Sequence, residues 1–161
     1  MVEIEKVDHY FINNHTMVIS PNYDPIYQSK IYEQDRIILC RQTPLNIIDS
    51  SCIKQGGATL DGRKRAIEIV TKKKVMIPIP VDPSKGIIFM PTMKVRHPDC
   101  TWIAYCHVKD CEAVPGRKHQ TNVIFYNHQT YKVDIQPSKM HNQVMLAAHV
   151  FGYFLKDQFI S

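Results

Sequence analysis

Gly56-Gly57-Ala58-Thr59-Leu60-Asp61-Gly62-Arg63-Lys64-Arg65-Ala66, followed by Ile67 to Val70 and Lys72-Lys73-Lys74, is the stretch that decides the fold. Its large apolar residues fall at Leu60, Ile67 and Val70, with Ala66 filling in, and this is helical spacing. Thr59 suits the N-cap, Asp61 the positive end of the dipole, and the three lysines the C-terminal end. The period changes at once beyond it. Ile77-Pro78-Ile79-Pro80-Val81 leads through Asp82-Pro83-Ser84-Lys85-Gly86 into Ile87-Ile88-Phe89-Met90, a hairpin whose turn residues stand where a tight turn needs them. Two prolines make its first arm an edge strand, because proline cannot donate to a ladder.

Outward from this centre the chain reads as short strands. Tyr10-Phe11-Ile12 and Met17-Val18-Ile19 flank Asn13-Asn14-His15, which predicts a hairpin. Arg36 to Cys40 reads as a strand, and so does Leu45 to Ile53, with Pro44 marking its start. Thr101 to Val108 and Asn122 to Ile135 supply more, the latter folded at Asn127-His128. Gln143 to Phe159 predicts a C-terminal helix that is apolar on nearly all sides, and hence buried in a core or against a second subunit. The fold class is α+β: mostly antiparallel β, a curled sheet or small barrel-like, with one mid-chain helix and one C-terminal helix.

The 161 residues, 44% hydrophobic and 22% charged, fit a single domain over 1–161 and exclude wholesale disorder. No apolar run spans a bilayer, and the acidic start Met1-Val2-Glu3-Ile4-Glu5 is unlike a secretory signal, so the expected location is cytoplasmic. Five cysteines without a C-x-x-C pair point to reduced thiols.

The net charge of +5 conceals an asymmetry. Residues 1–62 hold 5 Lys/Arg against 8 Asp/Glu, whereas residues 63–161 hold 15 against 7. Charge gathered on one part of a chain favours a polyanionic partner. The candidate contacts are Arg63, Lys64 and Arg65 at the helix start, Lys72, Lys73 and Lys74 at its end, and Arg96, Arg117 and Lys118 in loops beside strands. A solubilising face is the plainer alternative.

Other chemistry finds less support. Gly57-x-x-x-x-Gly62 has the glycine spacing of a phosphate-binding loop, but Arg63-Lys64-Arg65 stands where Lys and then Ser/Thr are required. Only His97-x-x-Cys100 has the form of a zinc ligand pair, so no metal or other cofactor is expected. Asp49-Ser50-Ser51 and eight scattered histidines lack any signature that holds a nucleophile and base together, so no enzyme activity is expected.

Five strings in order carry a family likeness. They are Pro44-Leu45-x-Ile47-Ile48-Asp49-x-Ser51-Cys52, Gly57-x-x-x-x-Gly62-Arg63-Lys64, Val81-Asp82-Pro83-Ser84, Phe89-x-Pro91-Thr92 and Pro98-x-Cys100-x-Trp102-Ile103. From about Tyr10 to the C-terminal helix the chain resembles the ComK family of competence transcription factors. The resemblance implies an activator of DNA-uptake genes that binds double-stranded DNA at paired AT-rich boxes, largely through the minor groove. It also implies self-association as a dimer or higher oligomer on DNA, and contact with RNA polymerase and with an adaptor to a Clp protease. Two local departures stand out, and DNA contacts are expected to differ there. Met76-Ile77-Pro78-Ile79 replaces a Lys-Pro-Pro-Ile pattern, and Lys94-Val95 replaces a serine-rich segment. The family continues past the position of Ser161, and that extension is linked to activation and adaptor recognition. The expectation is therefore either a shortened form of a longer chain or a naturally short member that binds DNA but activates poorly. The alternative from another class is a protein-interaction module working through the apolar C-terminal helix.

Overall fold

The computed structural model describes residues 3–160, with side chains as far as Lys156. Met1, Val2 and Ser161, and the side chain of Phe159 in the expected apolar helix, lie outside the described residues. The chain runs through β1 (Glu3–Val7), β2 (Thr16–Pro21), β3 (Ser29–Glu33), β4 (Arg36–Cys40), α1 (Pro44–Gly56) and α2 (Leu60–Thr71). It continues through β5 (Ile79–Asp82), β6 (Ile87–Pro91), β7 (Trp102–Ala104), β8 (Val108–Val114), β9 (Arg117–Phe125), β10 (Thr130–Val133) and α3 (Pro137–Ile160).

Seven strands form one open sheet in the order β1-β4-β3-β2-β7-β6-β5, and β10-β9-β8 form a second. Every pairing is antiparallel except β1 with β4. The class is α+β as expected, without a closed barrel, and with two mid-chain helices where the sequence predicts one.

The hairpin from β5 to β6 forms as read, and β5 is an edge strand carrying Pro80. All four of its residues are buried, because α1 and α2 pack against it and cover what would otherwise be an open edge. Every residue of β6 and β7 is buried too, so both faces of the sheet centre are covered. On β6 the cover is α3, and Tyr32 of β3 meets Tyr131 of β10 edge-on at 5.1 Å between centroids. Trp102, Phe89 and Phe125 are the largest fully buried side chains of the resulting core, and Cys100 is buried too.

Four readings need correction. Leu45 to Ile53 is not a strand but the body of α1. Thr43 caps that helix, its hydroxyl accepting from the Asn46 N–H at 3.2 Å, and Pro44 sits in its first turn, where its missing N–H costs nothing. Its buried residues Ile47, Ile48, Ser51 and Cys52 form a helical stripe. Tyr10 to Ile12 is not a strand either, because its backbone is bonded to side chains. Tyr10 N–H donates to Gln42 Oε1 at 3.0 Å, Ile12 N–H to Ser51 Oγ at 3.0 Å, and the Ile12 carbonyl accepts from Gln55 Nε2 at 2.6 Å. β2 therefore pairs with β3 and β7 instead. The expected strand from Thr101 to Val108 breaks at a 3-10 turn, Tyr105–His107, where the chain passes from the first sheet to the second. Finally, α3 begins at Pro137 and is amphipathic. It buries Met140, Gln143, Ala147 and Val150 but exposes Met145, Tyr153 and Leu155.

Candidate nucleic-acid interface

Thr59 is the N-cap of α2, its Oγ1 accepting from the Gly62 N–H at 3.0 Å. Asp49, reaching across from α1, accepts from the Leu60 N–H at 2.8 Å. Two of the free donors that a helix start offers are therefore already taken. An incoming phosphate would meet the surrounding cations rather than an open cradle of amides.

Those cations do not act alike. Arg63 folds back over the end of α1, where one terminal nitrogen takes the space that a Cβ on Gly56 would occupy. Its Nε is buried without a hydrogen-bond partner. Nearby, burial pushes the Cys52 thiol up to about 12, while the charge of Arg63 pulls the other way. Arg63 is thus largely a packing piece between two helices. Lys64 is partly exposed and Arg65 exposed. Ala66, assigned by its spacing to the buried face, is exposed as well, and Ile69 beside it is 71% exposed. Arg96 is brought to the same helix start, since its Nη2 donates to both oxygens of Asp61 at 2.9 and 3.0 Å.

At the other end of α2, Lys72 is the C-cap with φ 61, its N–H donating to the Glu68 carbonyl at 2.8 Å. Lys73 N–H bonds Thr71 Oγ1 at 3.2 Å. Lys72, Lys73 and Lys74 are all exposed, and among the described residues neither they nor Arg65 has a carboxylate partner.

Arg117 and Lys118 stand apart, at the start of β9 rather than in a loop. β8 and β9 shift register once between Val108 and Asp110, keep it from Asp110 opposite Ile124 to Ala113 opposite Thr121, and shift again at the tip, where Val114 faces Arg117 across Pro115-Gly116. The second sheet packs on α3, whereas α2 packs on α1 and β5. The candidate residues therefore form two groups, one around α2 and one on this hairpin.

A third basic patch escaped the sequence reading. The Lys54 Nζ lies 4.0 Å from the centroid of the Phe11 ring, and with His15 and Lys85 the pair lines an open cavity of about 490 Å³. Reading Leu45 to Ile53 as a strand hid it, because Lys54 meets Phe11 from the last turn of α1. Among the described residues no group of three His, Cys, Asp or Glu side chains is placed to hold a metal ion. No helix among them is long and apolar enough to cross a membrane.

By fold and site this is an α+β protein whose unpaired cations gather at a helix end and on a hairpin tip. The chain belongs to the ComK protein family, whose description it matches over residues 7–159. It is 35% identical over 143 residues to the competence transcription factor of Bacillus subtilis (strain 168), across 88% of this chain and 73% of that protein. No solved structure matches it.

Proposed function

We propose that this chain is a DNA-binding regulator of competence transcription that reads AT-rich boxes largely through the minor groove. The family relation and the function named for the Bacillus subtilis relative support the class. The observation that carries the mechanism is that Arg65, Lys72, Lys73, Lys74, Arg117 and Lys118 are exposed and free of carboxylate partners among the described residues. Unpaired surface cations bind DNA phosphates and release counterions, which supplies affinity. The narrow, strongly negative minor groove of A-tracts then favours arginine, which supplies selectivity.

The same reading puts the protein in the cytoplasm, with more than one protomer on a site and with RNA polymerase and a Clp-protease adaptor as protein partners. A titration of duplexes carrying spaced A- and T-tracts against a GC-rich control, at physiological salt, tests it. Preference for the tracts is expected, and equal affinity for both duplexes would sink selective recognition. A second reading, a protein-interaction module, rests on the exposed Met145, Tyr153 and Leu155 of α3. A stable protein complex together with no binding to either duplex would favour that module.

A further inference from the structure

We infer that the tip of the β8–β9 hairpin is the element that enters the minor groove, and that Arg117 sets the preference for AT-rich sequence. This rests on the DNA-binding reading above and adds to it which element reads the sequence.

The chain has six arginines, and the structure disposes of most of them. Arg36 is paired with Glu5 and Glu33, Arg41 with Asp8 and Arg96 with Asp61. Arg63 is tucked over Gly56. Arg65 and Arg117 remain as exposed guanidinium groups with no carboxylate partner among the described residues. Arg65 lies on the flank of a helix. Arg117 lies where a narrow probe is formed.

β10 pairs with β9 only from Thr121 to Ile124, so among the described residues the hairpin beyond Thr121 has no third strand beside it. Pro115 and Gly116 at its tip are exposed and carry no long side chain, and Gly116 takes φ 73, closing the turn tightly. The irregular register between Ala113 and Val114 is a device that re-aims side chains. Behind the tip, Gln120 Nε2 donates to Asp134 Oδ1 at 3.0 Å and Gln136 Nε2 lies 3.1 Å from His119 Nδ1, which anchors the base of the probe. Among the described residues Arg117 and Lys118 have no such tether. The carboxylates on β8, Asp110 and Glu112, pair opposite Ile124 and Asn122, nearer the body of the sheet than the tip. A minor groove about 6 Å wide excludes a helix but admits an extended tip carrying one arginine.

Affinities of the full chain for three duplexes test the assignment: an A/T-tract duplex, a GC-rich one, and one in which inosine–cytosine pairs replace the A·T pairs. Inosine–cytosine keeps the minor-groove face of A·T with the major-groove edge of G·C. The wild type should bind the inosine duplex like the tract duplex. Arg117→Ala should cut the tract-over-GC ratio about tenfold, the size of one good base contact, with an unchanged unfolding midpoint. Arg117→Lys keeps the charge and should lose most of the ratio as well. Lys73→Ala should weaken both duplexes alike.

An Arg117→Ala protein with an undiminished ratio overturns the inference and leaves the DNA-binding reading standing. An inosine duplex bound as weakly as the GC one also overturns it. A wild type with no preference for the tracts removes the reading beneath it.

Discussion

Lys72 occupies a backbone position that favours glycine. The two mid-chain helices both end in a left-handed residue, Gly57 at φ 68 and Lys72 at φ 61. A residue with a Cβ is disfavoured in that region by about 1 kcal/mol, so a lysine kept there lowers stability. Strain at an exposed cation is what a functional contact would retain. Lys72→Gly should therefore raise the unfolding free energy by about 0.5–1 kcal/mol in denaturant titrations while weakening DNA binding. A variant that gains stability and binds as well as the wild type would remove Lys72 from the interface. The reverse change at the end of α1 isolates the backbone term. A Cβ on Gly57 would meet nothing within 4 Å, so Gly57→Ala should cost about 1–2 kcal/mol from φ alone. The two substitutions should move the same measurement in opposite directions.

Among the elements, β1 shows how a strand can be held at a sheet edge by side chains. Among the described residues it makes the one parallel pairing, and Arg36 of β4 ties its Glu5 to the buried Glu33 of β3. Glu33 also accepts from the Tyr10 hydroxyl at 2.5 Å and from Asn13 Nδ2 at 3.4 Å. Burial pushes its carboxyl upward, but the hydrogen bonds from Tyr10, Arg36 and Asn13 outweigh burial and hold it below its ordinary value of 4.5. A depressed folded pKa means stability that is complete above the unfolded value and lost as pH falls through the folded one. Unfolding free energies measured across this range should show wild type and Glu33→Gln differing most above about pH 4.5 and converging below it. A gap that stays constant with pH would mean that Glu33 acts only by its shape.

Some elements were legible in the sequence and others were not, for physical reasons. The start of α2 could be read because Thr59, Asp61 and the Leu60–Ile67 spacing all agree, and the β5–β6 turn because Asp82, Pro83 and Gly86 do. α1 was missed because proline opens a strand or a helix equally well, and because two of its core positions are Ser51 and Cys52 rather than large hydrophobes. β1 was missed because its partner lies some thirty residues away and its Glu3 and Glu5 carry no apolar alternation. Within the site, the positions of Lys72 to Lys74 followed from the helix end. The burial of Arg63 did not, since it depends on a missing Cβ in another helix. Arg117 was visible as a charge near a Pro-Gly turn, but the register break that frees it belongs to the pairing of two strands.

For the whole molecule, the proposed reading separates affinity from selectivity in space. The lysines follow α2, which packs on the edge strand of the seven-stranded sheet, and Arg117 lies on the three-stranded one. Each phosphate contact contributes about 0.9 to the slope of log affinity against log salt, so Lys73→Ala should lower the slope by about that much on any duplex. Arg117→Ala should change the tract-over-GC ratio more than the slope. Because the two residues belong to different elements and share no partner among the described residues, their effects should add to within about 0.5 kcal/mol in a double-mutant cycle on the tract duplex. A larger coupling would mean that the helix and the hairpin grip the same few base pairs as one unit, and the two-surface arrangement would have to be replaced by a single continuous interface.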